Sequence, residues 1–396
     1  MSWSSRGYAA SRVLVAAAVS AVLGLGADSV AALEPAEELA QKSKPATIEP
    51  LFVRPLMPVE VGRNDANPVW SPSGALIAFE RSRGDKKEIV IARQNGVVVH
   101  DIYFQLSENS REPKFFFPGV VEDVSYNAGI TWSPSGDRPV FMSNGGAGNY
   151  DLYLRELDGK TVRLTDHKEK DGQAHWSPAA DQLVFVSGRT GRGDIYLLDV
   201  ATRAVTRLTW GSTPYLYPQW SPDGKKIVML HGSNENHDIY LIEDVRRPGE
   251  TLKALTTWTY DDLRPVWSPD GKKIAFYSNY NPTGDPKAWA ILVIAADGSD
   301  PVQGEALAAK VVATDVVPDV ERGPAWMPDS NRILYVRNDR QEYNPIYIAD
   351  LVRKTNLLLK TETKMNHDVA CSAQGVIAFR AQVDQWDQIF LARLRD

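Results

Sequence analysis

Residues 267–277 read Trp267-Ser268-Pro269-Asp270-Gly271-Lys272-Lys273-Ile274-Ala275-Phe276-Tyr277. One apolar strand ends at Trp267, the chain turns, and another strand starts at Ile274. Pro269 presets φ for the turn, Asp270 can bond back to the backbone, and Gly271 accepts φ > 0. The stretch is a β-hairpin. Its recurrence decides the fold.

Aligning the chain on this motif places Trp70, Trp132, Trp176, Trp220, Trp267 and Trp326 in equivalent positions, with Cys371 as a degenerate seventh. The steps are 62, 44, 44, 47, 59 and 45 residues, and a strand-rich period of about 44 residues is that of propeller blades. The Ser-Pro-x-Gly turn is complete at 71–74, 133–136, 221–224 and 268–271. A second strand follows each turn, as at Leu76-Ile77-Ala78-Phe79 and Lys273-Ile274-Ala275-Phe276. A third begins with Asp at Asp151-Leu152-Tyr153-Leu154, Asp194-Ile195-Tyr196-Leu197 and Asp238-Ile239-Tyr240-Leu241, and a short fourth ends in Leu-Thr at 164–165, 208–209 and 255–256. Four antiparallel strands make one blade. The last copy has only five residues after Ile389-Phe390-Leu391, which leaves no room for a fourth strand, while Leu51-Phe52-Val53-Arg54 is a spare strand upstream. Pairing the two closes the ring and removes its exposed edges. The expectation is an all-β, seven-bladed propeller over residues 51–396, with six blades as the alternative.

Composition narrows the function. A hydrophobic content of 43%, with eleven Trp and fifteen Tyr, suits β-structure. A formal charge of −6 argues against a nucleic-acid partner. Arg6 and Arg12 precede the apolar run 13–25, and Ser29/Ala31 or Val30/Ala32 fit a signal-peptidase site, so residues 1–31 read as a secretory signal. That run is too short to span a membrane. Residues 32–50, charged and Pro-containing, read as a linker. The one cysteine, Cys371, excludes a disulfide framework and a Cys-based zinc site. The chain therefore reads as a periplasmic or secreted monomer rather than an integral membrane protein.

The repeated Trp-Ser-Pro-Asp-Gly-Lys-x-Ile-Ala-Phe hairpins, followed by Asp-Ile-Tyr-Leu strands, resemble the TolB-type, WD-like β-propeller family across residues 51–396. The resemblance implies a cell-envelope propeller that binds a protein or peptide. Here it would be a stand-alone propeller, without the domain that precedes the blades in TolB.

Candidate site residues follow from the same alignment. Five positions before each repeat Trp, or Cys371, lie Asp65, Asn127, Asp171, Tyr215, Asp262, Glu321 and Asn366. Four are carboxylates at the entry to the innermost strands, expected to ring the channel mouth on the face opposite the Ser-Pro turns. Such a ring would attract a Lys- or Arg-bearing segment, or Ca²⁺ or Mg²⁺. Otherwise no cofactor is expected. The ring as a whole fits either reading, while each carboxylate taken singly fits a bond to its own turn better. Trp210, Tyr215, Tyr217, Trp258 and Tyr260 form a second candidate, an aromatic patch for a partner or glycan, or else packing between blades. Long steps imply insertions near 105–125, with Phe115-Phe116-Phe117, and near 297–320. No G-x-S-x-G, H-E-x-x-H or P-loop motif is present, so no catalytic residue is assigned. The alternative class is a carbohydrate-binding or carbohydrate-active propeller using the aromatic loops and His175, His231 or His367.

Overall fold

The computed structural model describes residues 45–84, 86–103, 127–144, 149–156, 158–233, 236–280, 282, 288–299, 305–339 and 343–395. The signal segment 1–31, most of the linker and the Phe115–Phe117 insertion lie outside them. Residues 46–396 form one compact unit of seven sheets, each built of antiparallel strands that follow one another in sequence, apart from the N-terminal strands added to blades 6 and 7. Blades 1–7 open with inner strands 64–70, 127–132, 171–176, 215–220, 262–267, 325–326 and 364–371. No helix among the described residues is long and apolar enough to cross a membrane.

The hairpin motif does what its residues suggest. At 268–271, Gly271 N–H donates to Ser268 O at 2.8 Å with φ +70°. Ser268 Oγ donates to Asp270 Oδ1 at 2.6 Å and accepts from Lys273 N at 2.9 Å. The Asp and Leu-Thr motifs form a second clasp. Thr165, Thr209 and Thr256 accept from the backbone N–H of Leu152, Ile195 and Ile239, at 3.0, 2.9 and 2.8 Å. The same hydroxyls donate to Asp151, Asp194 and Asp238. In these three blades, 2 to 4, the fourth strand is thereby held to the third at a buried hydroxyl, where a missing partner would cost about 1–3 kcal/mol.

The ring closes as expected. Residues 50–55 pair antiparallel with 386–394 as the outer strand of blade 7. The linker's end departs from the expectation. Thr47–Ile48 pair parallel with Leu358–Leu359 as a fifth strand on blade 6. Ile48 is half-buried against that blade's core, so this segment is propeller rather than linker. One short segment thus ties blade 6 to blade 7 at the outside.

The inner strands share one irregularity. In blade 1 the register runs Ala66↔Glu80 and then Val69↔Ala78, so Asn67 and Pro68 face the single Phe79. The same slip follows Ala128, Gly172, Leu216, Leu263 and His367. Each is a β-bulge with its first residue at positive φ: Asn67, Gly129, Gln173, Tyr217, Arg264 and Asp368. Gly323 holds the equivalent place in blade 6 at φ +85°. The opposed side chains Phe79, Phe141, Phe185, Phe276 and Phe379 are the largest in the core and fully buried.

Deletion of residues 46–55 should open the ring. Losing the half-buried Ile48, Phe52 and Val53 should cost roughly 3 kcal/mol or more and bare strand 386–394 as an edge. Urea unfolding and size-exclusion chromatography would show lowered stability and self-association; an unchanged monomer of equal stability would contradict the closure.

Candidate functional site

A cavity of about 800 Å³ runs along the propeller axis. Its walls are the last four residues of the inner strands, from the bulge residues Asn67, Gln173, Tyr217 and Arg264 at one end to the Ser-Pro turns at the other. Exposed Pro72, Pro134, Pro178 and Pro222 stand at the turn end. The cavity therefore reaches the Ser-Pro turn face, which corrects the expectation that the turns lie away from any ligand. The reason is the bulge, which turns residues three before each Trp, not five before it, toward the axis.

The residues five before each Trp lie elsewhere. Asp65 is 2% exposed and holds Arg81 through Nε and Nη2 at 2.8 and 3.0 Å, with Arg63 at 3.2 Å. Asp171 is buried and accepts from Arg189 at 3.1 Å. Tyr215 is buried and stacked on His231, ring centroids 4.0 Å apart. Asn366 is buried and bonded to Thr363 and Asn344. Asp262 is buried beside Ser278, Thr256 and Trp258, with no well-directed hydrogen bond to its oxygens among the described residues. The side chain of Asn127 lies outside the described residues. Of the six whose side chains are described, Glu321 alone lines the cavity, because blade 6 has a short inner strand and its residue 321 sits in a loop. Among the described residues no group of three or more His, Cys, Asp or Glu could hold a metal ion, and the buried carboxylates already bonded to arginines do not offer a Ca²⁺ or Mg²⁺ its oxygen shell.

The aromatic candidates also separate. Tyr217 lines the cavity. Trp258 stacks on Phe276 at 6.2 Å and Tyr260 meets Tyr280 edge-on at 5.0 Å, both packed against the core. Trp210 is 51% exposed, with Arg207 over its ring at 5.8 Å. Of the three histidines, only His175 reaches the cavity. His231 bonds Thr213 and Pro214, and His367 bonds Asn344.

What the bulges bring together was not marked by the spacing of acidic or aromatic residues. Arg264 is 8% exposed and its guanidinium lies 4.0 Å over the Tyr217 ring. Its Nε is buried without a hydrogen bond, and no ion pair to it is formed among the described residues. Gln173 Oε1 accepts from Tyr217 N–H at 2.8 Å. His175 Nδ1 accepts from Trp220 N–H at 3.3 Å, so its neutral ring carries the proton on Nε2. Burial, and then the Arg264 charge, pull the His175 pKa down to about 4, and burial pushes Tyr217 up to about 12. Glu321 is open to the cavity yet surrounded by protein, and that burial raises its carboxyl against the pull of Arg264. Cys371 lines the same wall with its thiol pushed up to about 12 by burial, which leaves it protonated at neutral pH.

Arg322 secures this end. It donates to Asp319 at 2.6 Å and to Pro68 O at 2.5 Å, spanning from the start of blade 6 to blade 1. Asp368, in blade 7, accepts from Asn67 N–H at 3.3 Å and pairs with Arg380 at 2.7 Å.

The family model for the TolB beta propeller domain matches residues 117–303. The repeats in that stretch, just under half of the chain, are similar to TolB-type propeller repeats. A TolB structure from Acinetobacter baumannii is 20% identical, with 76% of this chain and 64% of that one covered and a TM-score of 0.49. The chain thus spans about two thirds of that TolB's length. An oligogalacturonate lyase from Vibrio parahaemolyticus is 11% identical, covering 87% and 94% of the two chains at a TM-score of 0.64. An oligogalacturonate lyase in complex with manganese is 13% identical, covering 89% and 97% at 0.62. At these identities the likeness is one of fold. No curated protein sequence matches the chain.

Two outcomes follow from the buried carboxylates. Asp65→Ala strips the partner from buried Arg81 and should destabilise the protein by about 3–5 kcal/mol, measured by urea unfolding; a loss under about 1 kcal/mol would mean the pair is effectively solvated. Burial holds the Asp262 pKa well above the ordinary value of 3.8. The folded protein then keeps a proton that the unfolded chain releases, so stability falls as pH rises above the ordinary carboxylate range. Asp262→Asn should therefore gain on wild type between pH 4 and pH 7 and be the more stable at pH 7. Parallel stability curves across that range would contradict the shift.

Proposed function

We propose that this protein is a non-enzymatic, TolB-like propeller of the bacterial cell envelope that takes a peptide segment of a partner protein into its central cavity. The observation that carries the reading is the cavity itself. At about 800 Å³ it has the size of ligand sites that enclose a small molecule or a few residues of chain. Its walls carry apolar surface from Val69, Ile130, Val266, Val369 and the repeat tryptophans, and the charged groups Arg264, Glu321 and Arg322 also line it. That combination suits a chain whose apolar part lies along the wall while one polar group is fixed. The reading of residues 1–31 as a secretory signal supports an exported, periplasmic or secreted location.

A second reading, a carbohydrate-active propeller, has one observation in its favour, the presence of His175 in the cavity. His231 and His367, its proposed companions, are bonded elsewhere.

The test is to block the cavity. Ala174 lines the wall and is half-exposed to it, so Ala174→Trp should fill the cavity. Full-length wild-type protein should retain envelope partners on an affinity column, and the variant should lose them while keeping its melting temperature within a few degrees. Equal capture by both would move the partner site off the axis. Turnover of oligogalacturonate that disappears in His175→Ala would favour the second reading.

A further inference from the structure

We propose that the bulge end of the cavity is a carboxylate receptor, in which Arg264, with the bulge residue Gln173 and with His175 two residues further along the wall, binds an acidic side chain of the entering peptide. The proposal rests on the peptide reading above and names the group that the cavity recognises.

Arg264 is the argument's centre. A buried guanidinium is costly to leave without an acceptor, and elsewhere buried or half-buried arginines here have one. Arg81 and Arg63 have Asp65, Arg189 has Asp171, Arg322 has Asp319, and Arg380 has Asp368. Arg264 has the face of Tyr217 and no protein acceptor among the described residues, and its Nε is buried unbonded. It is nevertheless held firmly. Its backbone sits at φ +54° in the bulge, and a Cβ on Gly323 of the next blade would lie 2.6 Å from Arg264 O and 3.2 Å from Arg264 Cβ. Gly323 is thus the residue that lets blade 6 close on this arginine. A strained backbone holding an unsatisfied charge against a cavity is a preorganised site.

The neighbours are donors too. Gln173 has its amide oxygen occupied by Tyr217 N–H, leaving the NH₂ to donate. His175 has Nδ1 occupied by Trp220 N–H, leaving Nε2–H. Three donor groups line this one cavity, Gln173 and Arg264 at the bulge and His175 two residues nearer the turns, and one of them is a guanidinium fork that matches a carboxylate, which accepts at both oxygens. Glu321 lies in the same wall but forms no ion pair with Arg264 among the described residues, so it opposes an anion without occupying the fork. This reverses the polarity expected from the acidic residues five before each Trp.

The probes are N-acetyl-Ala-Asp-Ala-amide, its Asn isostere and galacturonic acid, titrated into full-length protein by calorimetry with tryptophan fluorescence as a second signal. The Asp peptide should bind at least tenfold more tightly than the Asn peptide. Arg264→Met, which keeps the side chain's length, should abolish that preference with an unchanged or raised melting temperature, because the removed charge lacks an acceptor. A structural arginine would instead lower the melting temperature. Glu321→Gln should tighten Asp-peptide binding by a few-fold. Should Arg264→Met fail to fold, Arg264→Lys retains the charge without the fork and should still lose most of the preference. Equal binding of Asp and Asn peptides, no binding of either, or a preference that survives Arg264→Met would overturn the receptor. Tighter binding of galacturonic acid than of the Asp peptide would overturn the peptide as its ligand. Loss of partner capture in Ala174→Trp with no Asp preference would defeat the receptor alone. An intact preference with partner capture indifferent to Ala174→Trp would defeat the peptide-in-cavity reading alone.

Discussion

An extra residue in each inner strand is the constraint from which the rest of the site follows. Two residues opposite one, as Gln173 and Ala174 opposite Phe185, force the strand to bend and its first bulge residue into the left-handed region. Non-glycine residues occupy that region at a cost of order 1 kcal/mol each, and five of the seven blades accept it, at Asn67, Gln173, Tyr217, Arg264 and Asp368. The opposing side chain explains why the bend is tolerated. A fully buried Phe, or Met229 in blade 4, stands opposite each of these bulges, and its burial is worth about 1.5–3 kcal/mol, more than the strain. The core therefore stabilises a ring of irregular backbone around the axis.

Neighbouring blades are joined through the same inner strands. The indole N–H of Trp132 donates to Val69 O, that of Trp267 to Gln219 O and that of Trp326 to Val266 O, each in the preceding blade. Where an indole makes no such bond, as at Trp220, the backbone N–H of that Trp donates to His175 Nδ1 instead. The histidine singled out as a possible base is thus also a structural acceptor, which fixes its tautomer and leaves Nε2–H toward other partners. Between blades 7 and 1 a polar contact adds to an apolar cluster that includes Trp70, Phe79, Ile389 and Leu391. Gln388 and Arg63 exchange hydrogen bonds at 2.8 Å in both directions, beside the Arg63–Asp65 contact.

The blades were legible because their signals are local. Pro and Gly in the turn, Asp and Thr in the clasp, and a Trp at constant spacing each act within a few residues, and the spare strand near residue 51 followed from counting. The site was less legible for a physical reason. A one-residue insertion turns every side chain upstream of it to the other face of the strand, so Asp65, Asp171 and Asp262 pass into the blade interior with the Trp rather than toward the axis. A signal was present. Proline cannot donate to a ladder, and Pro68, Pro218, Pro265 and Pro324 each stand two before a repeat Trp, while Gly129 and Gly323 stand three before. Those residues mark where pairing breaks, and the position beside them carries the cavity's polar groups.

The distribution of charge then explains why the channel differs from its expected polarity. Carboxylates at the strand entries are consumed in joining strands: Asp65 to Arg81, Asp171 to Arg189, Asp151 to Arg163 and Asp194 to Arg207. Each pair is net neutral and satisfied by hydrogen bonds, so it adds little field at the axis. The bulge positions are free of that duty because their backbone is already outside the ladder. Variation there changes the channel without unpairing a strand, and one blade has placed a buried arginine at such a position. A fold that neutralises its acids within the blades but leaves the Arg264 guanidinium at the cavity without a protein acceptor among the described residues keeps a charge there that a ligand can meet, and natural proteins hold such destabilising arrangements chiefly where function uses them.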